Sequence, residues 1–124
     1  MYWYYELRAD NTYSQKMLTS DVLSVLGAMG ELRRIGNQQF TNMEGFPWMT
    51  VAAVNSSNGN YGREEDFNSE WVTLIAVVGS QADPENEAFY VDLLTRIAEK
   101  LNWELILEVG SDGNTDVVLR EKVS

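Results

Sequence analysis

The sequence predicts an α+β domain built on one antiparallel sheet, with two helices packed on one face of that sheet. Three observations predict it: short segments that alternate apolar and polar residues, two segments with apolar residues at helical spacing, and the order in which these segments follow one another. The chain has 124 residues, of which 44% are hydrophobic, which is enough for one core. We therefore expect residues 1–124 to form a single domain.

The first strand and the first helix follow from two different periods. Residues 3–8 alternate, with large apolar side chains on one side of the segment, as in a half-buried strand. A polar loop is expected over 11–16. Apolar residues at near-helical spacing then predict a helix over 20–29, after a run of short polar side chains that favour a helix start, Thr19-Ser20-Asp21. The stretch 31–45 is ambiguous between helix and strand.

Two strands separated by a long polar loop are predicted in the middle of the chain. Residues 48–54 form an apolar run directly after Pro47, where a missing N–H does little harm. Residues 71–78 are apolar at both odd and even positions, so both faces of the segment are apolar, which suits a central strand. The connection 55–70 is rich in Asn, Gly, Ser and carboxylates, and a connection of this length is often functional.

The last third of the chain predicts a helix followed by a hairpin. Asp83 is a candidate cap and Pro84 suits the first helical turn, ahead of an apolar stripe that ends near Asn102. Residues 103–109 alternate like a strand. A turn over 111–114 and an edge strand over 116–120 follow. The predicted order is a ferredoxin-like βαββαβ fold with an extra C-terminal edge strand.

Composition excludes much of the usual catalytic chemistry. The chain has no histidine and no cysteine, so Ser–His and Cys–His pairs and zinc sites made of these ligands are impossible. No glycine-rich phosphate-binding motif occurs. Paired carboxylates can still perform acid–base work, so a carboxylate-dependent enzyme is kept as a third alternative. The candidate carboxylates are Glu104 and Glu108 on one side of a predicted strand, and Glu64, Glu65, Asp66 and Glu70 on the long loop. We expect a non-enzymatic protein without a cofactor.

One segment partly resembles a calcium-binding loop. Residues 112–116 place oxygen ligands at alternate positions, like the opening of an EF-hand. The glycine required after Asp116 is replaced by Val117, and the closing glutamate position is occupied by Val123. The pattern therefore predicts a hairpin turn and no metal site.

The charge balance points to a basic partner. Nineteen carboxylates against nine Lys and Arg give a formal charge of −10, which disfavours nucleic acid and anionic membranes. No apolar run approaches the ~18 residues of a membrane span, and the first residues do not have the pattern of a secretory signal. We therefore expect a cytoplasmic protein that binds another protein.

Small size, acidity, the lack of catalytic groups and a loop-bearing α+β outline together resemble the bacterial immunity proteins that neutralise cognate toxins. The resemblance extends over the whole chain as a profile and includes no diagnostic motif. It implies a tight complex in which carboxylates occupy the basic cleft of a nuclease toxin, formed with electrostatic steering. We expect the long loop to make the contacts, with aromatic anchors beside its carboxylates: Tyr61, Glu64, Glu65, Asp66, Phe67 and Glu70.

A second hypothesis is a homodimeric regulatory or small-ligand-binding module. Ferredoxin-like sheets often pair through an open face, and the outer face of this sheet is predicted to carry an exposed patch with an acidic rim. The patch comprises Tyr2, Tyr4, Met49 and Ile106, and its rim comprises Glu6, Glu104 and Glu108.

Overall fold

A computed structural model describes residues 1–108 and 116–123, which form nine strands and two helices. The strands are β1 Tyr2–Arg8, β2 Met17–Leu18, β3 Leu32–Arg34, β4 Gln39–Asn42, β5 Met49–Val54, β6 Trp71–Val72, β7 Leu74–Ser80, β8 Glu104–Glu108 and β9 Val117–Arg120. The helices are α1 Thr19–Gly27 and α2 Glu87–Leu101. Short 3-10 turns lie at Glu64–Phe67 and Pro84–Asn86.

Seven strands form one antiparallel sheet in the order β3-β4-β5-β7-β1-β8-β9, and β2 pairs with β6 in a separate two-stranded sheet. Strand β1 is near the centre, where Tyr5 lies opposite Val77 of β7 and Leu107 of β8. The N-terminal strand is therefore paired on both sides.

The predicted α+β class, with an antiparallel sheet and two helices, is confirmed. The exact βαββαβ order is not matched, since β3, β4 and β9 widen the main sheet and β2 and β6 form another. The ambiguous stretch 31–45 supplies the β3–β4 hairpin, whose turn is closed by a bond from the Ile35 N–H to the Gln39 carbonyl at 2.9 Å. Strands of three and four residues are too short to show a clear period.

One face of the sheet is covered by both helices and is called the helix face. Side chains alternate along a strand, so the odd-numbered residues of β1 lie on this face, together with their neighbours on the adjacent strands. The helices contribute their apolar stripes. The resulting core is buried and apolar, and includes Tyr5, Leu7, Val22, Leu26, Met49, Val51, Ile75, Val77, Leu93, Leu94, Ile97, Leu105 and Leu107.

Helix α2 approaches β7 closely at Gly79. A Cβ atom at this position would lie 2.8 Å from the buried ring of Tyr90, so a glycine is needed for the ring to lie on the strand. The Tyr90 hydroxyl donates to the carbonyl of Trp48 at 2.6 Å and accepts from the Ser80 N–H at 3.1 Å. This tyrosine therefore ties the start of α2 to two strands.

Several predicted boundaries need correction. The strand predicted over 71–78 is divided at Thr73, whose hydroxyl donates to the Ser56 carbonyl at 2.6 Å. Asp83 makes no side-chain capping bond, and the 3-10 turn after it precedes α2. Helix α1 likewise begins without a side-chain cap. Asn102 terminates α2 in the left-handed conformation, φ 52°, as predicted.

No helix among residues 1–108 and 116–123 combines the length and the apolar character needed to cross a bilayer.

Candidate functional site

The second face of the sheet, called the loop face, carries the even-numbered residues of β1 and their cross-strand neighbours. Its buried apolar side chains, Val54, Leu74, Ala76 and Ile106, are separate from the helix-face core. Two loops, 9–16 and 55–70, lie over this face and meet where Gly59 approaches the Tyr13 ring. The predicted functional loop is therefore packed against the sheet.

The first of these loops is shaped by Asp10. Its carboxylate accepts the N–H groups of Thr12 and Ser14, both at 3.0 Å, and both of their hydroxyls. These bonds hold the pKa of Asp10 well below its usual range, the Ser14 hydroxyl contributing most. Tyr13 adopts φ 56°, an uncommon conformation for a bulky residue. The strained backbone directs the Tyr13 ring onto the sheet.

Beneath the loops is a set of polar side chains that we call the carboxylate network: Glu6, Arg8, Tyr13, Glu104 and Glu108. The Tyr13 hydroxyl donates to Glu6 at 2.9 Å and accepts from Arg8 at 3.1 Å. Arg8 also donates to Glu6 at 2.9 Å and to Glu104 at 2.7 Å. Glu6 is 9% exposed, so its charge is compensated by bonds within the protein.

Glu108 lies at the edge of this network, next to Glu6 and without a salt-bridge partner in the part of the chain that the structure describes. Partial burial raises the pKa of Glu108 to about 7, and its hydrogen bond with Glu6 and the repulsion from the Glu6 and Asp116 carboxylates act in the same direction. Arg8 and Tyr13 both donate hydrogen bonds to the Glu6 carboxylate and thereby stabilise its charge. The two neighbouring carboxyl groups therefore have different environments.

The long loop 55–70 is held by internal hydrogen bonds. The Thr73 hydroxyl accepts the Ser56 N–H at 2.8 Å, and the Ser56 hydroxyl donates to the Asn60 carbonyl at 2.7 Å and accepts the Gly59 N–H at 2.9 Å. Asp66 accepts the N–H groups of Gly62 and Arg63 at 3.2 and 3.1 Å. The loop has a defined shape built from its own polar groups.

The loop lines a polar cavity of about 830 Å³ that is open to solvent. Amide, hydroxyl and carboxylate groups line it, together with the Tyr61 ring and the Arg63 guanidinium. The lining includes Asn55, Ser56, Asn58, Tyr61, Glu65 and Asp66. Such a cavity offers hydrogen-bond acceptors to a polar or cationic group.

The six residues predicted to bind a partner have different positions. Glu64, Glu65 and Glu70 are exposed. Asp66 is 4% exposed and turns into the loop, where bonds from the Arg63 and Gly62 N–H groups and the Arg63 side chain lower its pKa. Asp66 therefore shapes the loop, because its neighbours in sequence already use both of its oxygens, and its role as a partner contact stays a prediction.

Glu70 lies apart from the other loop carboxylates. Its carbonyl accepts the N–H of Thr19, the first residue of α1, at 2.8 Å. Glu64 and Glu65 belong to the 3-10 turn, and Glu65 forms an exposed ion pair with Arg63 at 2.9 Å. The loop therefore presents two carboxylates together and a third near the start of α1.

The two predicted aromatic anchors contact each other. The rings of Tyr61 and Phe67 lie 6.3 Å apart, edge to face. Tyr61 is 44% exposed, yet partial burial of its hydroxyl and the carboxylates of Glu108 and Glu6 raise its pKa. Tyr61 thus connects the loop to the carboxylate network.

The predicted open patch is only partly present. Tyr2 and Tyr4 are 50% and 47% exposed, as expected for an outer face. Met49 is fully buried on the helix face, because it lies opposite Gly79 and in line with Trp3. Ile106 is on the loop face but is 1% exposed under the two loops. The sequence could not reveal that these loops fold back over the sheet.

Trp48 is an exposed ring on the loop face, next to the two exposed tyrosines. Trp48 is 47% exposed and its ring lies 5.6 Å from that of Tyr2, which is 6.5 Å from that of Tyr4. We call Tyr2, Tyr4 and Trp48 the ring cluster. Trp48 directly precedes Met49, the first residue of β5, and the alternation of side chains along the chain there places the two on opposite faces.

The region contains carboxyl groups and a polar cavity, but these lie in different places. Neighbouring carboxyl groups are able to perform acid–base work, but the cavity is lined by loop residues and not by Glu6 or Glu108. Within the described residues, no cluster of three or more potential metal ligands is present. The calcium-like segment 112–116 and the turn predicted at 111–114 lie, apart from Asp116, outside the described residues.

Comparison of the chain with protein-family models, curated proteins and solved structures found no match.

Proposed function

We propose that this protein is a non-catalytic acidic binding protein that neutralises a basic protein partner, in the manner of a bacterial immunity protein acting on a nuclease toxin in the cytoplasm. The observation that carries the proposal is the long loop: a shaped, hydrogen-bonded segment that presents Glu64 and Glu65 beside a polar cavity. Ordered loops on a rigid sheet are typical binding elements.

Charge supports a basic partner. The formal charge is −10, and the loop has Arg63 as its single cation, which is already paired with Glu65 and Asp66. An approaching basic protein therefore meets a negative potential over the loop face, which accelerates association at low ionic strength.

Preformed structure supports tight binding. The Ser56, Thr73 and Asp66 hydrogen bonds order the loop before any partner arrives. Little conformational entropy then remains to be lost in the complex. Exposed Tyr61, packed on Phe67, supplies an aromatic anchor beside the carboxylates.

We further propose that the fold is a ferredoxin-like βαββαβ core with added edge strands. The four longest strands of the sheet, β1, β5, β7 and β8, are adjacent at its centre in the order β5-β7-β1-β8. This arrangement supports a ferredoxin-like core, to which β3, β4 and β9 are added at the sheet edges. An antiparallel core of this kind leaves one sheet face for loops.

The test is a comparison of two triple variants. The chain is immobilised and incubated at low salt with an extract of the native organism, and the retained proteins are identified and then titrated individually. The variant Glu64→Lys, Glu65→Lys, Glu70→Lys is expected to lose a basic protein that the unmodified chain retains. We expect its affinity to fall about tenfold or more, because three attractive charges become repulsive.

The control carries the same change in net charge elsewhere: Glu44→Lys, Glu99→Lys and Glu121→Lys, at exposed positions in the β4–β5 connection, near the end of α2 and after β9. It is expected to retain the basic protein. Equal loss in both triple variants would show that only net charge matters. Full retention by the first variant would remove the loop from the interface.

A further inference from the structure

The ring cluster is an exposed aromatic surface at one end of the loop face. Its three rings are each about half exposed. They contact one another in tilted and edge-to-face geometry, with centroids 5.6 and 6.5 Å apart. Mutual packing restricts the rings, so their outer faces are preorganised.

A carboxylate stands directly beside these rings. Strand β1 pairs with β8 so that Tyr4 lies opposite Glu108, and side chains opposite each other in an antiparallel pair are neighbours. Tyr61 of the long loop lies near the same carboxylate, which contributes to the raised pKa of the tyrosine. Aromatic rings and one carboxylate that has no salt bridge within residues 1–108 and 116–123 thus share one surface.

We propose that the ring cluster together with Glu108 is a binding site for an arginine or lysine side chain on an extended basic segment of the partner protein. The inference deepens the proposed function, on which it rests, by naming the group that the partner inserts. Aromatic faces attract guanidinium and ammonium groups, and Glu108 provides the opposite charge.

Geometry and charge select this occupant. Ring centroids 5.6 Å apart leave no room for a cation between two rings, so the cation stacks on an outer face, which suits a planar guanidinium best. A second copy of this chain would bring two Glu108 side chains and two charges of −10 together, which opposes dimerisation here. An acidic or purely apolar partner would leave Glu108 without compensation.

The site couples binding to protonation. Among the residues that the structure describes, the charged and titratable groups that face Glu108 are Glu6 and Arg8 of β1, Tyr61 of the long loop and Asp116 before β9. A bound cation favours the ionised form of Glu108, whose pKa is about 7 in the free protein. Binding is therefore expected to strengthen as the pH rises from about 6 to about 8.

The test uses a defined probe, a short acetylated and amidated peptide of alternating Arg and Ser, with a matched peptide that carries Gln in place of Arg. Binding is followed by calorimetry and by the NMR signal of the Trp48 indole N–H. The Arg peptide is expected to bind and to shift this signal, and the Gln peptide is not. Tyr4→Ala and Trp48→Ala should each weaken binding by roughly two- to fivefold.

Two further variants separate recognition from structure. Trp48→Leu keeps much of the apolar area but removes the aromatic face, so it should lose as much affinity as Trp48→Ala. Glu108→Gln should abolish the rise in affinity between the two pH values. Phe89→Ala removes an exposed ring on α2, outside the ring cluster, and should leave binding unchanged.

An affinity that Trp48→Leu leaves unchanged, a rise in affinity with pH that persists in Glu108→Gln, or equal binding of the Gln peptide would overturn the inference. If the peptide does not bind while a basic protein is still retained through Glu64, Glu65 and Glu70, this inference fails and the proposed function stands. If the peptide binds at the rings but no basic protein is retained, the proposed function fails.

Discussion

The two faces of the seven-stranded sheet are covered by different material and are stabilised by different forces. Helices α1 and α2 cover the helix face with apolar side chains such as Leu26 and Ile97, which are fully buried. Polar loops cover the loop face, where Glu6 is 9% exposed and is bound by Arg8 and Tyr13. Hydrophobic burial dominates on one side, and charge-assisted hydrogen bonds matter on the other.

This difference indicates that the two sheet faces have different roles. Apolar packing is insensitive to pH and needs no partner, so the helix face serves stability. The loop face contains titratable groups, an exposed ring cluster and a polar cavity, which are features of a binding surface. The structure thus places the titratable groups, the ring cluster and the polar cavity on the face that the helices leave free.

The largest effect is expected from a glycine that joins the two loops. Gly59 has φ +86° and its added Cβ would lie 2.9 Å from the Tyr13 hydroxyl. Gly59→Ala should therefore lower the free energy of unfolding by about 2 kcal/mol, since it combines backbone strain with a displaced Tyr13. Chemical denaturation followed by fluorescence measures the change.

Gly45→Ala is the matched control. Gly45 has φ +92° with no atom near the position that a Cβ would take. The substitution should therefore lower the free energy of unfolding by about 1 kcal/mol, through backbone strain alone. Equal costs for the two variants would show that the contact between the loops contributes nothing to stability.

The next effect compares the same substitution on the two faces. Tyr13→Phe removes bonds to Glu6 and Arg8 on the loop face and should cost about 1.5 kcal/mol. The Tyr5 hydroxyl on the helix face is buried and has no hydrogen-bond partner among residues 1–108 and 116–123. Tyr5→Phe should therefore be neutral or slightly stabilising.

Unfolding free energies of the two variants provide the measurement. If Tyr5→Phe costs as much as Tyr13→Phe, the helix face contains a polar contact that the proposed contrast between the faces does not include.

The smallest effect concerns pH. The pKa of Glu108 is raised from 4.5 to about 7 in the folded protein, so the folded state holds a proton that the unfolded chain has already released in this interval. The free energy of unfolding therefore falls as the pH rises from about 4.5 to 7, and this loss of stability persists in full above pH 7. After an allowance for solvent screening of this partly exposed group, the penalty is about 1 kcal/mol.

Glu108→Gln imitates the protonated side chain and should increase stability by about that amount at pH 8 and by little at pH 4. Denaturation at both pH values measures it, with Glu99→Gln on the exposed surface of α2 as the control. A gain that is equal at the two pH values would contradict the assigned titration.

Much of the fold could be predicted because its long elements carry clear periods. Alternation identified β1, and the apolar stripe identified α2 as well as its end at Asn102. The β3–β4 hairpin escaped prediction because short strands have no measurable period. The arrangement of the site was harder to predict, since the burial of Asp66 and the exposure of the Trp48 ring depend on contacts between distant segments.

The sequence by itself determined the α+β class, the strongly acidic character and the absence of histidine and cysteine chemistry, because these depend on composition and on local periodicity. Only the tertiary structure decided that the loops 9–16 and 55–70 cover the second sheet face, and that Glu6, Tyr13 and Glu108 meet there. These contacts join residues far apart in the chain, and no local pattern encodes which of many polar side chains will meet at one site.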